Sequence, residues 1–203
     1  MRKYLSSLLL LCATLTWQSC LHEDTNVFST SAIDRIENAV QTTQKTLESA
    51  PNGWLLRYYA GENYTGPAYS IFMKFANGHA TVASDYDPDK VTTAAYSIAK
   101  DQGVVLSFDS YNESIHQFSR VWEGSGARGI EGDYEFLVLS TSADTIRLLG
   151  KKWKNNMELV RVPEKTEWKS YLTSIYNLQE QLTTQFFALQ LGKDMLAEAT
   201  LNP

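Results

Sequence analysis

Two periodicities divide the chain. Ile33, Ile36, Val40 and Leu47 recur at helical spacing behind Ser31, with Asp34 three residues on as a capping-box partner, and Pro51 and Gly53 end the pattern. This predicts a helix over about 32–49 with one apolar face that must be buried. From Trp54 the period falls to two. In "AYSIFMKFANGHATVAS", Tyr69, Ile71, Met73 and Phe75 alternate with Ser70, Phe72 and Lys74, and Asn77-Gly78 supplies a turn with positive φ. "AAYSIAKDQGVVLSFDS" repeats the logic around Asp101-Gln102-Gly103, and "DYEFLVLSTSADTIRLLGKKWKNNMELVRV" repeats it around 140–144 and Asn155-Asn156. After Pro163 the helical period returns through Trp168, Leu172, Ile175, Leu182, Phe186 and Leu189, and Gly192 ends or interrupts it. The final "KDMLAEATLNP" stops without a closing element and reads as the start of something longer or as a frayed tail.

Short strands joined by tight turns predict an antiparallel meander. The expected fold is mainly β with flanking helices (α+β): eight or nine strands curled into a barrel or split into a sandwich, with an N-terminal and a C-terminal helix. Residues 85–93 and 109–133 are the irregular segments long enough to carry function. Four regions follow: a leader over 1–19, a polar tether over 20–30, a helix-plus-meander domain over 31–162, and a C-terminal helical segment over 163–203 that reads as the start of a second half or as a tail.

The leader has three parts. Arg2 and Lys3 precede an apolar run from Leu5 to Leu15, and small or polar residues lead to Cys20. The run is shorter than the roughly 20 apolar residues a bilayer span needs, and no later stretch is long enough either. Only Cys12 and Cys20 exist, and Cys12 leaves with the leader. A lone thiol in an exported protein has no internal disulfide partner, which points to Cys20 as a capped, lipidated residue. An ordinary signal cleaved near Ser19 is the other reading. "WQSC" resembles a bacterial lipobox, with Trp17 in place of the usual Leu, a departure that the looser lipoboxes of Bacteroidota tolerate. Glu23 and Asp24 behind it resemble the surface-export signal of Bacteroidota lipoproteins; a plain polar tether reads the same on composition.

Removing the first 19 of 203 residues leaves 184, in which 16 basic side chains face 23 acidic ones, a net of −7. That balance opposes nucleic-acid binding, which neutralises phosphate with Lys and Arg, and opposes attachment to anionic lipid by charge. Any membrane association then runs through a lipid anchor.

Chemistry-bearing motifs are few. "GSGARG" at 124–129 matches a dinucleotide fingerprint, but a strand-like "IEGDYEFLVL" follows where a helix is required, so no cofactor is expected. Asp85, Asp87 and Asp89 alternate like the start of a calcium loop, yet Lys90 and Tyr96 stand where Gly and Glu are needed. His22, His79 and His116 lack ligand spacing, so no metal is expected. No catalytic residue is read from motif or spacing. Tyr111, His116, Phe118 and Trp122 cluster in or beside the longest irregular segment. Tyr111, His116 and Trp122 are the candidate binding residues, their rings placed to stack on a glycan or grip a peptide. In the alternative, His116 and Phe118 lie on a short strand with their rings in the core.

"NGWLLRYYAG", "GVVLSFDSYNESIHQFS" and "GDYEFLVLSTSADTIRLLGKK" together resemble the Bacteroidota lipoproteins called domain of unknown function 4302, over roughly residues 20–182. The resemblance implies an exported outer-membrane lipoprotein near nutrient-uptake pairs of the SusC and SusD kind, with no established activity and no site residues to carry over. Members of the family are typically about twice this length. The expected function is a non-enzymatic binding or accessory component of an uptake system at the cell surface. A scaffold of the envelope, or a hydrolase of unknown type, are the alternatives.

Overall fold

The computed structural model describes residues 30–121, 126–182, 187–191 and 194–199. The chain divides into two compact units, Met1–Arg35 and Ile36–Pro203. In the described part of the first, the Ser31 hydroxyl accepts the Asp34 N–H at 3.1 Å and donates to the Asp34 carboxylate at 2.7 Å. This caps helix α1, Ala32–Glu48, as the Ser31–Asp34 spacing predicts.

Eight strands form a closed antiparallel barrel in sequence order: β1 (Trp54–Tyr59), β2 (Ala68–Ala76), β3 (His79–Ser84), β4 (Asp87–Lys100), β5 (Val104–Phe108), β6 (Glu135–Thr141), β7 (Thr145–Gly150) and β8 (Asn156–Arg161). Closure comes from β8 pairing back onto β1, from Trp54 opposite Arg161 to Arg57 opposite Glu158. Closure leaves the barrel without an edge strand, which settles barrel against sandwich. Alternate residues fill the interior: Trp54, Leu56 and Tyr58 of β1; Ile71, Met73 and Phe75 of β2; Leu106 and Phe108 of β5; Ile146 and Leu148 of β7. Tyr69 packs against this core half-buried. The β2–β3 turn holds Asn77 at φ 52° and Gly78 at φ 73°, the geometry of a two-residue I′ loop.

Each mouth is covered. At one, Thr43 and Leu47 of α1 are buried, and Ile36 and Val40 pack against the core. The Trp54 indole donates to the Leu47 carbonyl at 2.9 Å, the Tyr96 hydroxyl to Glu48 at 2.8 Å, and Thr43 meets Thr141 at 3.0 Å. At the other mouth, residues 109–121 and 126–134 lie across the opening, with helix α2 (Glu113–His116) and a 3-10 turn at Gln117–Ser119.

Helix α3 (Trp168–Leu182) packs on the outside. Phe72, on the outward parity of β2, is buried there with Ala83, Val162 and Leu172, and Trp168 stacks on it at 5.2 Å. Among the described residues no helix is long and apolar enough to cross a membrane.

Three expectations need correction. The helical stripe does not run to Leu189: α3 is Trp168–Leu182, Phe186 lies outside the described residues, and Phe187–Leu191 pairs with Asp194–Ala199 as strands β9 and β10 of a separate two-stranded sheet. In "FALQLGKDMLAEA" an apolar residue falls at helical and strand spacing alike, so periodicity alone leaves the choice open. Residues 85–93 are not a loop: a tight turn at Asp85 and Tyr86 leads straight into the long strand β4. Pro88 is tolerated near the start of that strand. His116 and Phe118 sit in helical turns instead of a strand.

Candidate functional site

The mouth covered by residues 109–121 and 126–134 carries a cleft of about 730 Å³. Packed core rings lie next to its lining. Phe118 is buried, stacks on Tyr69 at 4.3 Å and leans on Tyr58 at 5.1 Å. The Phe118 carbonyl accepts the Gly132 N–H at 2.8 Å, and the Tyr58 hydroxyl donates to the Asp133 carbonyl at 2.9 Å. A Cβ at Gly132 would collide with Tyr58 and Phe118, so only glycine lets the returning chain lie this close.

Asp133 braces the wall. Its buried carboxylate accepts the Lys152 N–H at 2.7 Å and the Trp153 N–H at 3.2 Å, tying the segment to the β7–β8 turn. Burial pushes its carboxyl above the ordinary range, against the pull of those N–H groups and of Lys154 and Lys152.

Three rings form a column on this frame. His116 stacks on Tyr134 at 4.6 Å and 28°, and Tyr111 lies 5.3 Å from His116, tilted by 36°. Tyr111 is 61% and Tyr134 39% exposed, so both present ring surface to a ligand. His116 Nδ1 lies 3.0 Å from the Asn112 backbone nitrogen and 3.1 Å from its oxygen. That oxygen already accepts the His116 and Ile115 N–H groups. Nδ1 faces both Asn112 groups, and the tautomer sets whether it accepts the N–H or donates to the oxygen. Burial lowers the imidazole pKa, partly countered by the Asn112 backbone. The ring is neutral at pH 7 and offers an uncharged face.

The polar lining is mostly committed. Lys151 pairs with Glu135 at 3.0 Å and Asp101 at 3.1 Å. Asp109 accepts from Ser97 at 3.1 Å. Ser97 lies between inward-facing Tyr96 and Ile98, so Asp109 is drawn to the outer face of β4. Arg120 and Lys152 also line the cleft.

Of the candidate binding residues, Tyr111 and His116 come together here; Trp122 lies outside the described residues, as do Cys20, Glu23 and Asp24. Phe118 belongs to the core. Tyr134, Arg120 and Lys152 were not singled out by the sequence. Tyr134 had a readable signal, because it shares parity with inward Phe136 and Val138 and therefore falls on the barrel rim. The three aspartates of "DYDPDK" do not converge: Asp85 is buried and accepts the Ser70 N–H, while Asp89 pairs with Lys169 at 2.8 Å. Among the described residues no cluster of three or more metal-ligating side chains occurs. In the described part of "GSGARG", residues 126–129, the chain turns and no helix follows before β6, so the phosphate-binding helix start of a dinucleotide fold is absent from these residues.

Fold and cleft define the class: a closed eight-stranded antiparallel barrel, plugged at one mouth by a helix and carrying a ring-lined cleft at the other. The chain belongs to the family described as Domain of unknown function (DUF4302), whose family model matches residues 24–196. Neither a curated protein nor a solved structure matches the chain.

Proposed function

We propose that the protein is an exported envelope lipoprotein of the Bacteroidota type, anchored through Cys20 at the outer membrane and displayed on the surface by Glu23 and Asp24. In this reading its barrel binds a ligand, without catalysis, for an outer-membrane uptake system. The observation that carries the binding role is the exposed column Tyr111–His116–Tyr134 in the cleft, because flat rings held in place by a packed frame cost little entropy on binding. The absence of chemistry from the proposal rests on Asp133, which spends its carboxylate on two backbone N–H groups, and on Glu135, which is paired with Lys151.

Retardation in native gels containing soluble polysaccharides or short peptides tests the binding role. At least one probe should slow the protein, and Tyr111→Ala and Tyr134→Ala should each weaken that effect about tenfold, a stacking contribution of roughly 1–1.5 kcal/mol. Failure of the whole panel would refute it. The anchor has its own test: Cys20→Ala should move the protein out of the membrane fraction, and Glu23→Ala with Asp24→Ala should protect it from protease added to whole cells. A second reading, an envelope scaffold, is favoured by a different observation. Tyr59, Tyr64 and Leu139 expose apolar surface around a 480 Å³ groove on the outer wall between β1, β7 and β8, a suitable partner-binding patch.

A further inference from the structure

Resting on that binding role, we propose that the ligand of the Tyr111–His116–Tyr134 cleft is an anionic saccharide, with sugar faces on the ring column and its acidic group paired to Arg120 and Lys152.

The charge assignment follows from what each polar group already does. Three acids and three bases line the cleft. Asp133 accepts two backbone N–H groups, Glu135 and Lys151 pair with each other, and Asp109 accepts from Ser97. Arg120 and Lys152 make no ion pair among the described residues. Lys152 rests its ammonium 4.6 Å over the Trp153 ring, which positions the charge without cancelling it. Arg120 lines both this cleft and a neighbouring 230 Å³ pocket formed with Tyr69, Tyr86 and Phe118. Two cations without an ion pair among the described residues line one cleft of a chain that is acidic as a whole, and an anion that reaches both gains charge-assisted hydrogen bonds.

The ring column selects the rest of the ligand. The apolar C–H face of a pyranose matches the exposed ring surface of Tyr111 and Tyr134, with His116 stacked between them. An extended acidic peptide has less to hold. All eight strands are paired within the closed barrel, so no sheet edge at the mouth can take an added strand.

Affinity electrophoresis of the full mature chain would use polygalacturonate, chondroitin sulfate, dextran and poly-glutamate as probes. Retardation should be strong with a polyanionic glycan and weak with dextran. Polygalacturonate against chondroitin sulfate tells a carboxylate from a sulfate, and preference for either supports the proposal. Arg120→Gln and Lys152→Gln should each weaken binding about tenfold, with thermal midpoints unchanged. Added salt should weaken it further by screening. Retardation by dextran equal to that by the acidic glycans, or unchanged binding in both variants, would overturn the anionic class while leaving the binding role standing. Retardation by poly-glutamate alone would overturn the saccharide, and no retardation by any probe would remove the binding role itself.

Discussion

Asp85→Asn should stabilise the protein at neutral pH. Asp85 opens the β3–β4 turn and is 1% exposed. Its Oδ2 accepts the Ser70 N–H at 2.8 Å, and its own N–H donates to the Ser70 carbonyl at 3.1 Å. Oδ1 has no hydrogen bond. The carboxylate lies at a narrow cleft of about 230 Å³ beside Arg57, Tyr69, Ile175 and Gln179. Arg57 points its charge toward Glu158 at 3.5 Å. Tyr69 stays neutral, its pKa pushed to about 12 by burial first and then by Tyr86 and Asp85. Burial therefore dominates and raises the Asp85 carboxyl from 3.8 to about 6, against bonds from Ser70 and Gln179. Because the folded-state value is the higher one, the native chain holds more protons than the unfolded chain between those two values. Stability from this site is then greatest below about pH 4, falls as pH rises, and reaches its full deficit above pH 6. A displacement of this size corresponds to about 3 kcal/mol as a ceiling. Water at the cleft screens part of it, and the amide leaves one N–H to be met by Gln179, so we expect a gain of about 1–2 kcal/mol at pH 7.5. Urea denaturation at pH 7.5 and pH 4 is the assay, with equal m-values required. The gap between variant and wild type should close at pH 4. A variant no more stable at pH 7.5, or a gap of equal size at both pH values, would refute the burial argument.

Gly78→Val should cost about 1 kcal/mol or more, because a β-branched residue is forced to positive φ. A Cβ there meets nothing within 4 Å, so the whole effect is backbone conformation and an unchanged denaturation midpoint would contradict it. Trp168→Ala should cost about 2–3 kcal/mol through the lost stack on Phe72 and the lost indole bond to the Asn52 carbonyl at 3.1 Å. Hydrogen exchange should show α3 amides losing protection ahead of the barrel; simultaneous loss in both would mean that α3 is integral to barrel folding.

Some of the site was legible early. Tyr111 and His116 stood out because residues 109–133 lack either period. Of the parts that were missed, Arg120 and Tyr134 lie in or beside the same segment, and Lys152 comes from the distant β7–β8 turn. Arg120 and Lys152 look like any surface base until the cleft shows that Lys151 is paired and they are not. Asp85 read only as one of three alternating aspartates, because nothing local says that it will be buried beside α3. The C-terminal stripe failed for another reason: apolar residues in 187–199 satisfy both periods, and a five-residue strand leaves too little pattern to separate them.

By itself the sequence determined what depends on neighbours along the chain. Asn77-Gly78 reverses direction because those two residues tolerate positive φ, and the alternation from Tyr69 to Phe75 puts Ile71, Met73 and Phe75 on one face because side chains of a strand alternate. Only the tertiary structure decided what depends on pairing at a distance. An open meander and a closed barrel share the same alternation; the difference is the ladder from Trp54–Arg161 to Arg57–Glu158, between strands about a hundred residues apart. That ladder sets β8 beside β1, so the helix that follows β8 brings Trp168 onto the outward Phe72 of β2. Local propensity carries no information about that closure, because its free energy comes from burying the two chain-distant strands against one shared core.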